Sequence, residues 1–509
     1  MAVIRTTGMG ERALGIQLEE WIIEASIEMM QRAMEEGEIS SEELVAVYLD
    51  RIDRYDPRLK SVIEVNPDAM DTARALDQER KEQGSRGALH GIPILLKDNI
   101  GTHDKTRTSA GSLALANAIP KEDSAVASQL RAAGAVLLGK ANMTEWANFM
   151  SSTMYAGYSS KGGQTLNPYG PGEIFVGGSS SGSAAAVAAN LTAAAIGTET
   201  TGSIISPASH NCIVGIKPTV GLISRRGIIP LTETQDTPGP MARTVADAAL
   251  ILGALTAQDP RDAATLSKNR QALSDYTPFL NRASLAKSRI GIPRNYYRQL
   301  DEGRLALIEQ AIHVLQAEGA TIIDPVELPC EGQNWDFNVL NFEFKKSLND
   351  YLKTLPEMVK VRSLEDVIRF NEQHKEAALK YGQDLLLLSN RTSGTLTEQA
   401  YLDSKRRNHE VAGRQGIDAV LKQHHLDALL ILGDDDINDL AARAGYPSIT
   451  VPAGFIAEGV VTPEGITTKG PHGITFVGTA FSEPTLIGLA YSYEQASRHR
   501  VPPHLVVMN

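Results

Sequence analysis

Two short turns built from glycine and small hydroxyl residues stand close together in the chain. The first, 177–183, reads Gly-Gly-Ser-Ser-Ser-Gly-Ser and leads into an alanine-rich stretch, 184–195, that predicts a helix. A glycine-rich turn at a helix N-terminus exposes backbone N–H groups, which suits an anion that develops during a reaction. The second turn, 197–203, reads Gly-Thr-Glu-Thr-Thr-Gly-Ser. Ordering two glycine-rich turns costs backbone entropy, so a plain connection explains them poorly and a catalytic role explains them better. The alternative is a pair of flexible surface loops.

Amide hydrolysis requires a nucleophile, a base and donors for the tetrahedral oxyanion. Serines are plentiful in the two turns, whereas the nearest histidines, His103 and His210, stand in no recognised pattern. Lys97 is the stronger candidate for the base, because it ends the apolar run 91–96 and its side chain leaves a buried strand. Desolvation lowers the pKa of a buried lysine towards neutrality. The alternative for such a lysine is an ordinary charge at a strand end, with its ammonium in water.

The elements that must position these residues alternate between helices and short apolar strands. The first eighty residues predict helices, one of them opened by a capping box of Ser40 and Glu43. Beyond the polar boundary at 81–87, a helix at 128–133 precedes a strand at 135–138, and a helix at 304–318 precedes a strand at 321–323. Further strands are predicted at 94–96, 213–216, 428–432, 448–451 and 474–477. The pattern predicts an α/β fold with a large mixed sheet covered by helices on both sides.

The predicted domain organisation has one main unit. We expect an N-terminal helical segment, 1–80, packed on a catalytic domain of residues 81–509. Residues 336–425 are helical and polar in pattern, and we interpret them as an insertion that shapes the substrate pocket.

Composition excludes several classes of function. The 509 residues include 49 Lys and Arg against 61 Asp and Glu, a net charge of −12, which argues against nucleic-acid and anionic-membrane partners. Two cysteines exclude a disulfide framework and a cysteine-rich metal site. The N-terminus lacks the apolar core of a signal peptide, and no apolar stretch is long enough to span a bilayer. We therefore expect a cytoplasmic protein.

The two turns and six further motifs resemble those of the amidase signature family. The likeness covers about residues 40 to 503 and is weakest over 255–425. The further motifs lie at 89–99, 134–142, 217–221, 236–241, 445–454 and 493–495.

The resemblance implies an amide hydrolase of the amidase signature fold. It makes Ser203 the nucleophile, Ser179 the proton bridge after a cis peptide bond, and Lys97 the base of a Ser-Ser-Lys group that works through an acyl-enzyme. The implied oxyanion donors are the backbone N–H groups of Thr200, Thr201, Gly202 and Ser203. No metal or organic cofactor is implied.

Three residues depart from the commonest pattern of the family: Glu199 stands in place of Asp, Thr201 in place of Gly, and Ile205 in place of Arg. The variant string, with 220–224 and 235–237 downstream, looks most like the peptide amidase branch, whose members release ammonia from C-terminally amidated peptides. We expect a small-molecule or peptide amide as substrate, neutral or cationic rather than carboxylate-bearing. A homodimer is one assembly that the sequence leaves open.

Two other functions stay open. Residues 178–182 also match a G-x-S-x-G nucleophile elbow, which would make the chain an α/β-hydrolase-type esterase with Ser180 as nucleophile. The amidase signature also occurs in the glutaminase subunit of the tRNA-dependent amidotransferase. The Ile205 substitution and the lack of a basic surface pattern count against that function.

Two local patterns carry less weight. Residues 134–140 match most of a phosphate-binding loop, but Ala141 replaces its hydroxyl residue and the apolar interior predicts a strand. Asp434, Asp435 and Asp436 form either a helix cap or a site for a cationic group or divalent ion.

Overall fold

One mixed β-sheet organises the protein. The computed structural model describes residues 18–433, 435–463 and 465–506, and in these residues eleven strands form the sheet while two short strands pair separately. The strands are β1 Val62–Val65, β2 Pro93–Lys97, β3 Val136–Ala141, β4 Tyr158–Ser159, β5 Gly163–Gln164, β6 Ala194–Glu199, β7 Val214–Lys217, β8 Thr237–Ala242, β9 Arg289–Gly291, β10 Thr321–Ile323, β11 Ala428–Leu432, β12 Ser448–Ile456 and β13 Gly470–Val477. The sheet order is β1-β3-β2-β6-β8-β7-β12-β13-β11-β9-β10, and β4 pairs with β5.

Helices connect many of the strands. They are α1 Ile27–Glu35, α2 Ser41–Leu59, α3 Ala69–Gln83, α4 Ala125–Ala132, α5 Ser181–Ala188, α6 Ile205–His210, α7 Val245–Ala254, α8 Glu302–Ala317, α9 Asn338–Thr354, α10 Leu364–Gln373, α11 Lys375–Ala378, α12 Asp384–Asn390, α13 Gln399–Arg407, α14 Asp418–His424, α15 Asp436–Ala444 and α16 Glu483–Ser497. Within the described residues, none of the helices has the length and apolar composition needed to cross a membrane.

Strand β11 shows that both faces of the sheet are covered. Leu430 on β11 belongs to the main apolar core, whereas its neighbours Leu429 and Ile431 belong to a second core with residues of α14 and α15. Successive side chains of a strand point to opposite faces, so each face packs against its own layer. The predicted α/β fold with a large covered sheet is confirmed.

The alanine-rich composition of 184–195 predicts one continuous helix, but the structure does not show one. Helix α5 ends at Ala188, Asn190 adopts a left-handed conformation with φ 53°, and Ala194 already belongs to β6. Strand β6 is fully buried between β2 and β8. The ladder bonds and burial of a central strand therefore override the helix propensity of alanine.

Strand β8 is a second departure, because Pro238 and Pro240 would normally argue against a central strand. Its ladder with β7 covers only Met241 and Ala242, whereas its ladder with β6 runs past both prolines.

The N-terminal region is helical apart from edge strand β1, which pairs antiparallel with β3 and was not predicted. Residues 1–17 of the predicted helical segment lie outside the described residues. The capping box is present: Ser40 accepts a bond from the backbone of Glu43, and the Glu43 carboxylate accepts one from the backbone of Ser40. Side chains of α1 and α2, such as Met30 and Leu44, share the main core with the sheet.

The region 336–425 is helical, as its pattern predicts, and contains α9 to α14. Apolar side chains of α9, α10 and α12 form a separate core with residues 143–150, where Phe149 and Phe344 meet edge to face at 5.5 Å. This packing places the helices over the end of the sheet that carries the two small-residue turns.

Candidate active site

Parallel strands bring the candidate residues to one edge of the sheet. Strands β2 and β6 are parallel neighbours, so Lys97 and Glu199, the last residue of each, lie at the same edge. Helix α5 runs back along the sheet before β6 begins, which puts its N-terminal turn, with Ser179, at that edge as well. Lys97 and the two turns, which follow it by about 80 to 100 residues, therefore converge because of strand direction.

Lys97 is fully buried and hydrogen-bonded. Its Nζ donates to Ser179 Oγ at 2.8 Å and to the carbonyl oxygen of Thr198 at 2.9 Å. Burial lowers the pKa of Lys97 to about 7, even though the charges of Glu199 and Asp236 act to raise it. A substantial fraction of the amine is therefore neutral near pH 7.

Ser179 lies after a cis Gly178–Ser179 peptide bond, as the resemblance implies. The neighbouring Ser180, the nucleophile of the alternative elbow hypothesis, is also fully buried. Its hydroxyl donates to the carbonyl oxygen of Thr198 at 3.1 Å and accepts the N–H of the same residue at 3.3 Å. Ser180 is therefore committed to the backbone of β6.

Ser203 lies on the wall of a cavity of about 770 Å³ and is 6% exposed. It follows Gly202, whose φ of 70° turns the chain into α6. The carbonyl oxygen of Ser203 accepts the N–H of Ser180 at 3.1 Å, which ties the two small-residue turns together.

The Glu199 carboxylate organises the turn around Ser203. It accepts N–H groups from Gly202 at 2.8 Å, Ile204 at 2.7 Å and Ile205 at 3.0 Å. The side chain of Asn438 on α15 adds a fourth bond at 3.0 Å. The Gly202 amide, which the resemblance implies as an oxyanion donor, is thus already bonded to a carboxylate in this structure.

The two threonines of the turn are held by side chains from elsewhere. Thr200 Oγ1 donates to Asp236 at 2.6 Å, and the carbonyl oxygen of Thr200 accepts from Gln235 Nε2 at 3.3 Å. Thr201 Oγ1 donates to Asp439 on α15 at 3.2 Å. Sequence reasoning missed the role of α15, because Asn438 and Asp439 lie more than 200 residues from the turn and belong to no local motif.

The cavity wall is largely apolar. The helical region supplies Phe337, Leu340, Leu385 and Leu388, and the segment between β12 and β13 supplies Ile466. The substituted position Ile205 is fully buried and bonds to Glu199 only through its backbone, so its side chain adds no charge here.

A second cavity, of about 480 Å³, borders the other side of the turn and shares Thr200 with the first. Its wall includes Thr198, whose carbonyl oxygen bonds to Lys97. Within the described residues, Asn99 Oδ1, Ser347 Oγ and Tyr351 OH on this wall have no protein partner. Buried polar atoms of this kind are usually satisfied by water, so the cavity is suited to hold it.

Two of the three aspartates at 434–436 belong to the start of α15. Asp435 occupies the N-cap position, and Asp436 is the first residue of the helix, whereas Asp434 lies outside the described residues. The phosphate-loop match is excluded, since its interior forms β3. Cys212 is buried.

Comparison with known proteins identifies the family. The model of the Amidase family matches residues 43–487. The chain belongs to the Amidase family. It is therefore a hydrolase that acts on amide C–N bonds.

Two relatives and one solved structure illustrate the range of similar proteins. A probable amidase of Arabidopsis thaliana is 41% identical over 95% of this amidase and 92% of its own length. The crystal structure of native peptide amidase from Stenotrophomonas maltophilia is 45% identical, covers 95% of this chain and 99% of its own, and superposes with a TM-score of 0.86. A glutamyl-tRNA(Gln) amidotransferase subunit from Thermosynechococcus vestitus is 32% identical over 94% of this chain and 99% of its own.

Proposed function

We propose that this amidase works through an acyl-enzyme, with Ser203 as nucleophile, Ser179 as proton bridge and Lys97 as base. The observation that carries the proposal is the hydrogen bond from the buried Lys97 Nζ to Ser179 Oγ at 2.8 Å, by an amine whose pKa lies at about 7. A base is most useful when its pKa is close to the working pH.

The proposed reaction has two halves. Neutral Lys97 draws a proton from Ser203 through Ser179, and Ser203 Oγ attacks the amide carbonyl. The proton then returns through Ser179 to the leaving nitrogen, the C–N bond breaks and ammonia departs. Water, for which the cavity beside Thr198 offers room, hydrolyses the ester by the same proton path.

The oxyanion is held in this proposal by the backbone N–H groups of Thr200, Thr201 and Ser203. The Gly202 amide is better assigned to Glu199, which it already contacts. With Asp236 and Asp439 fixing the two threonine side chains, the turn is pre-organised, and fixed donors avoid reorganisation during the reaction.

We propose C-terminally amidated peptides as substrates. The cavity next to Ser203 is large enough for several residues, and its apolar wall suits the acyl portion of a short peptide. The 45% identity to a peptide amidase over nearly the whole chain supports this substrate class.

Mass spectrometry tests the substrate directly. An amidated peptide, its free acid and a longer homologue are incubated with the purified chain. We expect conversion of the terminal carboxamide to a carboxylic acid, with internal peptide bonds intact. Cleavage at internal bonds would contradict the assignment.

The similarity to the amidotransferase from Thermosynechococcus vestitus favours a second candidate, a glutaminase that passes ammonia to a partner. Free glutamine is therefore included in the same experiment. A strong preference for glutamine over peptide amides would favour the glutaminase function.

A further inference from the structure

The cavity that contains Ser203 has one permanently charged side chain on its described wall, Arg304 of α8. The part of the chain that the structure describes contributes neither Asp nor Glu to this wall. Arg304 Nε donates to Asp301 at 2.6 Å, and Nη2 donates to the carbonyl oxygen of Gln299 at 3.2 Å. Among the described residues, Nη1 has no protein acceptor. The guanidinium therefore keeps donors for a ligand.

Two histidines on the same cavity wall as Arg304 add hydrogen-bond acceptors but no charge. His210 Nδ1 donates to the carbonyl oxygen of Ser206, and His472 Nε2 donates to that of Thr468, which leaves the other nitrogen of each ring as an acceptor. The ring centroids are 5.3 Å apart. Burial lowers the pKa of both rings, that of His472 to about 4, and the nearby Arg304 contributes to both shifts. Near pH 7 both rings are therefore neutral, and the charges in this region are those of Arg304 and its partner Asp301.

The position of His210 indicates how far the polar patch formed by Arg304, His210 and His472 lies from the nucleophile. His210 follows Ser203 by seven residues and ends α6. At a rise of about 1.5 Å per residue along α6, the backbone of His210 lies roughly 10 Å from that of Ser203. An extended peptide covers about 3.3 Å per residue, so the patch faces the second or third residue before the scissile amide.

We propose that Arg304 selects amides whose acyl portion carries a carboxylate at the second or third residue before the scissile bond, and disfavours a cationic group there. This inference rests on the proposed cleavage of peptide amides. It is the opposite of the neutral or cationic substrates that the sequence predicts, and the net charge of −12 does not oppose it. Charges spread over the surface are screened beyond about 8 Å at physiological salt, whereas Arg304 lies on the wall itself.

The competing explanation is that Arg304 serves only the helix start, as the partner of the N-cap residue Asp301. Asp301→Asn separates the two roles. Asparagine still caps the helix through its side-chain oxygen, but it no longer neutralises the guanidinium. A role in substrate selection predicts stronger charge discrimination in this variant, and a role limited to the helix start predicts none.

The experiment measures kcat/KM for ammonia release from blocked tripeptide amides that carry Glu, Gln or Lys at one position and are otherwise identical. When the variable residue is the second or third before the scissile amide, kcat/KM of the wild-type chain should be about tenfold or more higher for Glu than for Lys. That ratio corresponds to one charge-assisted hydrogen bond. With the variable residue first, the preference should largely vanish.

Variants then assign that preference to Arg304. Arg304→Gln should bring the Glu-to-Lys ratio close to one, Arg304→Lys should retain part of it, and Asp301→Asn should increase it. Using the ratio divides out losses common to both peptides. Arg298, an exposed arginine outside the cavity wall, supplies the matched control Arg298→Gln, which should leave the ratio unchanged.

The possible failures are distinct. If no peptide amide is cleaved, the proposed function itself is wrong. If the amides are cleaved but the ratio is the same in wild type, Arg304→Gln and Asp301→Asn, the selection by Arg304 is overturned.

Discussion

The turn that carries Ser203 and the cavity wall opposite it are built in different ways. In the turn, the Glu199 carboxylate alone accepts four hydrogen bonds, and Asp236 and Asp439 hold the two threonines. The wall from 337–388 offers mostly apolar side chains, of which Phe337 is 57% exposed and Leu388 43%. The difference indicates that the chemistry depends on the fixed hydrogen bonds of the turn. The range of substrates depends on the apolar side chains of the wall, which can be substituted without disturbing the turn.

Loss of the nucleophile tests the turn most severely. Ser203→Ala should reduce turnover by about 10⁴-fold or more, because the acyl-enzyme cannot form. Covalent labelling by a fluorophosphonate, followed by mass spectrometry, should also disappear. Ser180→Ala is the matched control and should still be labelled at Ser203. Labelling that persists at Ser180 in the Ser203→Ala protein would instead support the nucleophile elbow.

The base is tested by Lys97→Arg, which should be about as damaging as Lys97→Ala, since a guanidinium does not release its proton near neutral pH. In the wild type, kcat/KM should rise with pH through about 7, because burial has lowered the pKa of Lys97 to that value and only its neutral form accepts the proton. Near-normal activity of Lys97→Arg at pH 7 would exclude this role.

Glu199 links the electrostatics of the base to the geometry of the turn. Glu199→Gln should reduce kcat roughly 10- to 100-fold, because the amide group cannot accept all the N–H bonds that the carboxylate accepts. Removal of the negative charge also lowers the pKa of Lys97, so the rising limb of the pH profile should move to lower pH. Glu199→Asp keeps the charge and should leave the limb near its original position. An unmoved limb in Glu199→Gln would show that Glu199 acts on structure only.

Substitutions in the cavity wall should have the smallest effects on activity. Leu388→Ala removes exposed apolar surface from the cavity rim and should raise KM by about three- to tenfold for peptides with apolar acyl residues. The kcat value should change little, since the turn is untouched. A loss in kcat comparable to that of Glu199→Gln would contradict the division between chemistry and substrate range.

Much of the site was predictable because its residues lie in short local motifs. The capping box of α2, the buried strand that ends at Lys97 and the glycine-rich turns all follow from neighbouring residues. The likeness to the amidase signature pointed to the family that the comparison confirms. The roles of the individual residues stay predictions until the variants are measured.

The failures have a common physical origin. Alanine is the strongest helix former, yet Ala194 and Ala195 are in a strand because β2 and β8 enclose them. Strand β1 was likewise not predicted, and it forms because residues 62–65 pair with β3. In each case a contact from a distant segment outweighs a local or averaged property.

By itself, the sequence determined the local elements, the chemical types at the two turns and the membership of the family, because these depend on neighbouring residues and their spacing. Only the tertiary structure decided that Asn438 and Asp439 hold the nucleophile turn and that Lys97 reaches Ser179. Those contacts join segments up to 239 residues apart. They depend on strand order and helix packing, which no local pattern of residues encodes.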